Sequence, residues 1–368
     1  MTWSAKHLLA DIVRTRLGSK RPFKLTFALT ERCYHRCMIC RLWESSPNGG
    51  PATDEVCRVF AMNRFFSWIN LTGGELTARR DIETILATLL QTQPRLELLQ
   101  FPTAGWLPEP TESIVRFLLQ RGVPRLAVTV SVDGDRATHD RLRGRTGAYE
   151  RAITTLARLR AISNRRLRVL AGLTLSRFNA HHVEDAIAAL RAPPLSLSAD
   201  EIHINLAHHS RHSYHNSPDV KPPAETMPPL ARLTSRWPLG PVPLVETLYR
   251  RLTRRHQATG RCPLPCQAAR ASLHVGADLE VRPCSTWDRS LGNLRDHGFD
   301  LVNLLATTET EQVQREIAAE KCPGCWTPCD AAPTLLVKLP EAVARAFTGV
   351  RTNGTHESGG PQENGRSP

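Results

Sequence analysis

Leu29-Thr30-Glu31-Arg32-Cys33-Tyr34-His35-Arg36-Cys37-Met38-Ile39-Cys40 spaces three cysteines as C-x3-C-x2-C, directly after an apolar, strand-like run over residues 23–30. Cysteine thiolate is the usual protein ligand of iron–sulfur centres, and three thiolates on one short loop can hold three irons of a cubane. The fourth iron then has no ligand in the loop and is open to a small chelating molecule, which suits a catalytic centre. Zinc is the competing reading of closely spaced cysteines. Structural zinc takes four ligands, commonly as two C-x2-C pairs, and this loop supplies three.

The loop resembles the cluster loop of radical S-adenosylmethionine (SAM) enzymes, with Ile39 at the apolar position before the last cysteine. The resemblance implies that Cys33, Cys37 and Cys40 hold a 4Fe-4S cluster whose open iron is chelated by the amino and carboxylate groups of SAM. It also implies reductive cleavage of SAM to a 5′-deoxyadenosyl radical that abstracts hydrogen from substrate. An electron donor such as flavodoxin or ferredoxin is expected.

Working outward, short apolar runs at residues 23–30, 68–72, 96–102, 126–132, 167–176 and 201–205 alternate with helical patterns near 53–63, 81–91, 111–120, 148–159 and 180–191. Strands alternating with helices predict a parallel sheet. Six such units rather than eight predict a partial (β/α)6 TIM-like barrel, the shape of radical SAM cores. Chemistry on such sheets gathers at the carboxyl ends of the strands.

Further motifs fall at those ends. Thr72-Gly73-Gly74-Glu75 follows the second run and resembles the family's GGE motif, which holds the SAM amino group; Leu76 stands where proline is usual. Glu75 offers an acceptor for an ammonium group. At the fourth run, Ser131 and Arg143 correspond to family residues on the SAM carboxylate. Asp133 is read equally as a contact to ribose or a substrate hydroxyl, or as a turn cap, and His139 as a structural partner of its loop. Gly172, Thr174 and Asn179 map to the adenine-contacting strand, and Thr103 and Gly105 to the pocket wall.

A second set comprises Cys262, Cys266, Cys284, Cys322, Cys325 and Cys329, around a hairpin expected at 271–275 and 279–282. It resembles the SPASM and twitch auxiliary-cluster domains of radical SAM enzymes. One auxiliary 4Fe-4S cluster is expected, with Cys266, Cys284, Cys322 and Cys325 fitting the twitch pattern and Cys262 and Cys329 spare or alternate ligands. Four thiolates also satisfy structural zinc. Cys57 stands apart as a small buried residue.

The rest bounds the answer. The chain has 368 residues, 41% hydrophobic and 23% charged, and no apolar run near the ~20 residues that span a bilayer. Lys6, Asp11, Arg14 and Arg16 interrupt the N-terminal apolar pattern, so no secretory signal is read. Ten cysteines without such a signal argue for metal ligation and a reducing, cytoplasmic setting. The +13 formal charge comes from 42 arginines and six lysines, scattered and poor in aromatic company, so no nucleic-acid partner is expected. The four histidines between 208 and 215 read as a loop over the substrate pocket rather than a metal site.

Four segments are expected: an N-terminal amphipathic helix (1–21), a radical SAM core (22–235), a SPASM/twitch-like module (236–335), and a C-terminal helix with a disordered tail (336–368). The N-terminal helix is read as a cap on the barrel bottom, with a membrane-surface role as its alternative, and about twenty residues leave no room for a leader-binding domain at this end. The function read is radical SAM chemistry on a peptide or a small hydroxylated or amino-bearing metabolite. The alternatives are a zinc-stabilised binding protein and a membrane-associated enzyme modifying lipids. No general base or proton donor is legible.

Overall fold

The structure, a computed structural model, describes residues 5–44, 49–193, 195–223 and 241–348. Helix α1 (Lys6–Arg16) leads into six strands: β1 (Lys24–Thr30), β2 (Trp68–Gly73), β3 (Leu98–Thr103), β4 (Leu126–Ser131), β5 (Leu167–Leu175) and β6 (Ile202–Leu206). Between them run α2 (Thr53–Met62), α3 (Ile82–Thr92), α4 (Pro108–Gln120), α5 (Arg136–Arg143), α6 (Ala148–Arg160) and α7 (Val183–Arg191). Neighbouring strands pair in parallel in the order β6-β5-β4-β3-β2-β1. This is the partial barrel that the alternation predicts, with strand ends within two residues of expectation.

Period-two alternation decides what each strand face does. On β1, Leu25, Phe27 and Leu29 join the main apolar core, where Phe27 meets Phe60 of α2 edge-on at 5.8 Å. The intervening Thr26, Ala28 and Thr30 line a cavity inside the barrel. On β2, Ile69 and Leu71 pack outward while Asn70 and Thr72 turn to the same cavity. Each large apolar side chain buried this way contributes about 1.5–3 kcal/mol, so the helical layer holds the barrel and leaves its interior free for polar groups.

The C-terminal part contains α8 (Pro241–Thr259), β7 (Ser272–Val275), β8 (Glu280–Arg282), β9 (Gly292–Asn293), α9 (Leu301–Leu305), α10 (Thr308–Ala318), α11 (Pro328–Val337) and α12 (Leu339–Phe347). The expected hairpin is present, and it does more than stand apart. Strand β7 pairs in parallel with β1, Lys24 opposite Ser272 and Phe27 opposite Val275, and β8 and β9 continue antiparallel to give nine strands. Leu273, Val275, Leu279 and Val281 belong to the same apolar core as Phe27. Residues 352–368, expected to be disordered, lie outside the described residues.

Candidate active site

The cysteine loop leaves β1 and is gripped by the segments after three other strands. From the β2 side, Gly74 N donates to Thr30 O at 2.6 Å and Glu75 N to Arg32 O at 2.8 Å. Here the two glycines have a definite reason. A Cβ on Gly73, whose φ is +113°, would stand 2.2 Å from Thr30 O, and one on Gly74 2.0 Å from Arg32 O. The close approach made by this motif is thus to the backbone of the cysteine loop. From the β4 side, Arg36 N and Met38 N donate to Arg143 O and Leu142 O. From the β6 side, Arg41 N donates to Tyr214 O at 2.8 Å, and Asn216 Nδ2 donates to Ile39 O at 2.9 Å.

Cys33, Cys37 and Cys40 lie in this grip close enough to influence one another electrostatically. Burial, then mutual repulsion, pushes the Cys33 thiol up to about 11 and Cys40 to about 12; burial also raises Cys37. Such thiolates need a cation among them, and three on one loop are a cluster's donor set. Among the described residues, no three Cys, His, Asp or Glu side chains surround a single point as they would one ion. The nearest cation is Arg143, with Nη1 3.9 Å from Cys37 Sγ and Nη2 2.6 Å from Asp133 Oδ2. Arg143 Nε is buried with no hydrogen-bond partner among the described residues, an orphan donor that a carboxylate would satisfy.

Glu75 is buried, and its carboxylate accepts from Thr103 Oγ1 at 2.9 Å and Ala104 N at 2.8 Å. Burial raises its pKa, an effect that its hydrogen bonds and the Arg143 charge only partly offset. Thr103, expected in the pocket wall, therefore orients Glu75. Asp133 also accepts from Thr174 N at 3.0 Å, so it is the counter-ion of Arg143 as well as a brace for β5. Asn179 donates to Asp133 O and Thr174 O, and Asp133 N donates to His139 Nδ1 at 3.0 Å. Ser131 is half-buried and opposite Gly172 in the β4–β5 register.

The second thiol set gathers around β7 and β8. Cys266 is raised well above a normal thiol by its contact with Cys262 and by burial, and Cys284 by Cys325 and burial. Burial raises Cys322 too, with Cys266 and Cys325 as further neighbours. Backbone N–H groups reach two sulfurs, Ala268 N to Cys266 at 3.5 Å and Trp287 N to Cys284 at 3.3 Å. Cys329 turns toward the barrel cavity, and its carbonyl accepts from the fully buried Lys24 Nζ. Cys57 corrects an expectation: it is half-buried, because α2 directs its thiol to Thr88 Oγ1 of α3 at 3.4 Å.

Inside the barrel is empty space of about 450 Å³, partly open to solvent and lined among others by Thr26, Glu31, Asn70, Tyr214, His274 and Cys329. The histidine-rich loop closes one side. His212 Nε2 is 3.1 Å from Cys284 O, Ser210 Oγ donates to Ser285 O at 2.7 Å, and Ser213 Oγ is 3.3 Å from His274 Nε2. Burial raises the Tyr214 phenol, with the Cys329 and Cys40 sulfurs as its next influences. Burial also keeps His274 neutral, and its Nδ1 has no hydrogen-bond partner among the described residues. Neither Tyr214 nor His274 is legible as a site residue in the sequence. In the structure His274 pairs with Thr26 across β1 and β7, which turns it to the same cavity.

Comparison with known proteins follows the same lines. Residues 27–190 match the model of the Radical SAM superfamily. The chain is similar to the sporulation killing factor maturation protein SkfB of Bacillus subtilis (strain 168), 25% identical over 178 residues, 46% of this chain and 40% of that protein. It is also similar to the AdoMet-dependent heme synthase of Methanosarcina barkeri (strain Fusaro / DSM 804), 34% identical over 146 residues, 38% and 39% of the two chains. The match thus spans about two fifths of each curated relative. Among solved structures, native anSMEcpe with bound AdoMet and Cp18Cys peptide shares the fold at a TM-score of 0.54 and 13% identity, over 88% of this chain and 99% of that one. SuiB of Streptococcus suis bound to S-adenosylmethionine does so at 0.50 and 14%, over 76% and 63%.

Proposed function

We propose that this chain, whose residues 27–190 match the model of the Radical SAM superfamily, is a radical SAM enzyme that abstracts hydrogen from a peptide or small polar metabolite lodged between two iron–sulfur centres. When bound, the reduced cluster would give one electron to the sulfonium of SAM, whose S–C5′ bond would break to methionine and a 5′-deoxyadenosyl radical. Everything else is asked of this chain's own side chains. Cys33, Cys37 and Cys40 hold the cluster, and Ile39 keeps its apolar side chain beside it. Glu75 accepts the SAM ammonium at a site built by Gly73 and Gly74. Arg143, with Ser131, receives the carboxylate while Asp133 fixes the guanidinium, and Thr174 borders the adenine. Cys266, Cys284, Cys322 and Cys325 hold an auxiliary cluster that assists oxidation or bond formation, with Cys262 and Cys329 beside them. Core and auxiliary module divide near residue 235.

The observation that carries this reading is the barrel cavity, lined by Glu31 at the start of the cysteine loop, by Cys329 of the second set, and by polar side chains such as Thr26, Asn70, Tyr214 and His274. A peptide substrate is supported by the names of similar proteins, one a maturation protein and one bound to a peptide. Anaerobic reconstitution tests the proposal. About eight irons per chain, two cubanes, are expected, together with SAM-dependent 5′-deoxyadenosine. Replacing Cys33, Cys37 and Cys40 by alanine should remove about four irons and all SAM cleavage. Zinc without SAM cleavage would overturn it in favour of a binding protein.

A further inference from the structure

We infer that α1 is a membrane-surface contact, its exposed Leu9–Val13–Leu17 stripe resting on an anionic phospholipid bilayer between flanking arginines. The helix has two working faces. Leu8 and Ile12 are buried against Phe23, Trp68 and Val337, so one face caps the barrel as expected. The opposite face carries Leu9, Val13 and Leu17, which are 60%, 52% and 82% exposed.

At about 100° per residue, positions 9, 13 and 17 form one continuous stripe, and Ala10 widens it. Arg14, paired with Asp11, borders the stripe on one side, and Arg16, which keeps its charge while donating to Val337 O and Leu336 O, borders it on the other. Three aliphatic side chains aligned in water are more than the scattered exposure normal for a surface. The charge around them selects the occupant. The helix has a single carboxylate, Asp11, which is buried and paired with Arg14 and Arg95, so the outward face carries no anion. Lys6 and Arg21 add exposed cations at its ends, while Lys20 is paired with Glu311 at 2.6 Å, on a chain of net charge +13. An apolar stripe rimmed by cations is what a helix lying in an anionic interface presents.

The geometry also allows the two functions to coexist. Phe23 and Trp68 mark the amino ends of β1 and β2, whereas the cysteine loop follows the carboxyl end of β1. A bilayer under α1 would leave the site mouth facing solvent. Among the described residues no helix is long and apolar enough to cross a membrane, so the contact is peripheral and implies nothing about a lipid substrate.

Flotation of the full chain tests this, using vesicles of phosphatidylcholine alone and vesicles with about a third phosphatidylglycerol. Binding to the anionic vesicles only, weakened by high salt, is expected. L9Q/V13Q/L17Q should lower the bound fraction about tenfold or more, with circular dichroism and iron content unchanged because these side chains face water. The inference is overturned if the wild-type chain does not float, if it floats equally on neutral vesicles, or if the triple variant floats like wild type. A wild-type dimer that the triple variant dissolves, with neither floating, would overturn it in favour of a second copy. None of these outcomes depends on the radical chemistry.

Discussion

Arg143 carries two jobs on one guanidinium. It neutralises Asp133, which is 1% exposed, and it is the cation nearest the Cys37 sulfur. Removing one partner of a buried ion pair costs about 3–5 kcal/mol, because the other charge is left in a poor solvent. Arg143→Met is therefore expected to lose that much stability in urea titration of the cluster-free chain. Asp133→Asn added to it should recover a large part, and simple additivity of the two changes would refute the pairing. His139 beside them makes a pH prediction. Burial, then Arg143, holds its pKa down at about 3, whereas an unfolded histidine titrates near 6.5. Below pH 6.5 the unfolded chain takes up a proton that the folded chain refuses. Stability held above 6.5 is therefore lost as pH falls toward 3, by about 1.4 kcal/mol per pH unit at most from this residue. Asn at 139 keeps an acceptor for Asp133 N without titrating. Unfolding free energies measured at pH 7 and pH 5 should show a shallower fall in His139→Asn, and equal slopes would sink the prediction.

At the level of elements, the cysteine loop has no regular structure of its own and borrows its shape from its neighbours. Gly74 is the tightest of these supports, since any Cβ there would meet the Arg32 carbonyl at 2.0 Å. Gly74→Ala must push two backbones apart. The expected outcome is loss of about four of eight irons, with far-ultraviolet circular dichroism near wild type because the barrel core is untouched. Full iron retention would mean that the loop adapts. The same elements show why some of this was legible and some was not. The six strands could be read because each is an apolar run bounded by turn residues, and the cysteines and Gly73-Gly74-Glu75 because their meaning lies in local spacing. Helix α5 escaped the reading: within Arg136–Arg143 Leu142 is the one large apolar residue, so no periodic face announces it. Its ends specify it instead, with Asp135 accepting from Thr138 N and Gly144 in the left-handed region. Tyr214, His274 and Lys24 escaped for another reason. Lys24 and His274 are brought together by the pairing of β1 with β7 and Tyr214 joins them from the loop after β6, and contacts between distant segments leave no local mark.

For the whole molecule that pairing has the largest consequence. The cysteine-rich part resembles an appended module, yet β7 to β9 complete the sheet and Leu273, Val275, Leu279 and Val281 fill the same core as Leu25 and Phe27. Lys24 ties the parts together further, since its buried amine reaches the Cys329 carbonyl and stacks 4.4 Å from the Trp68 ring. Thiols and scaffold should then separate experimentally. Serine at Cys266, Cys284, Cys322 and Cys325 removes only the ligands, and the product should stay soluble with iron falling from about eight to about four per chain. Truncation after residue 259 removes the scaffold as well, baring the β1 edge and the apolar face beneath it. Unpaired edges and bare cores aggregate, so this chain should be insoluble even with its first cysteine loop intact. A soluble truncated chain that binds about four irons and cleaves SAM would show instead that the barrel closes without the C-terminal strands.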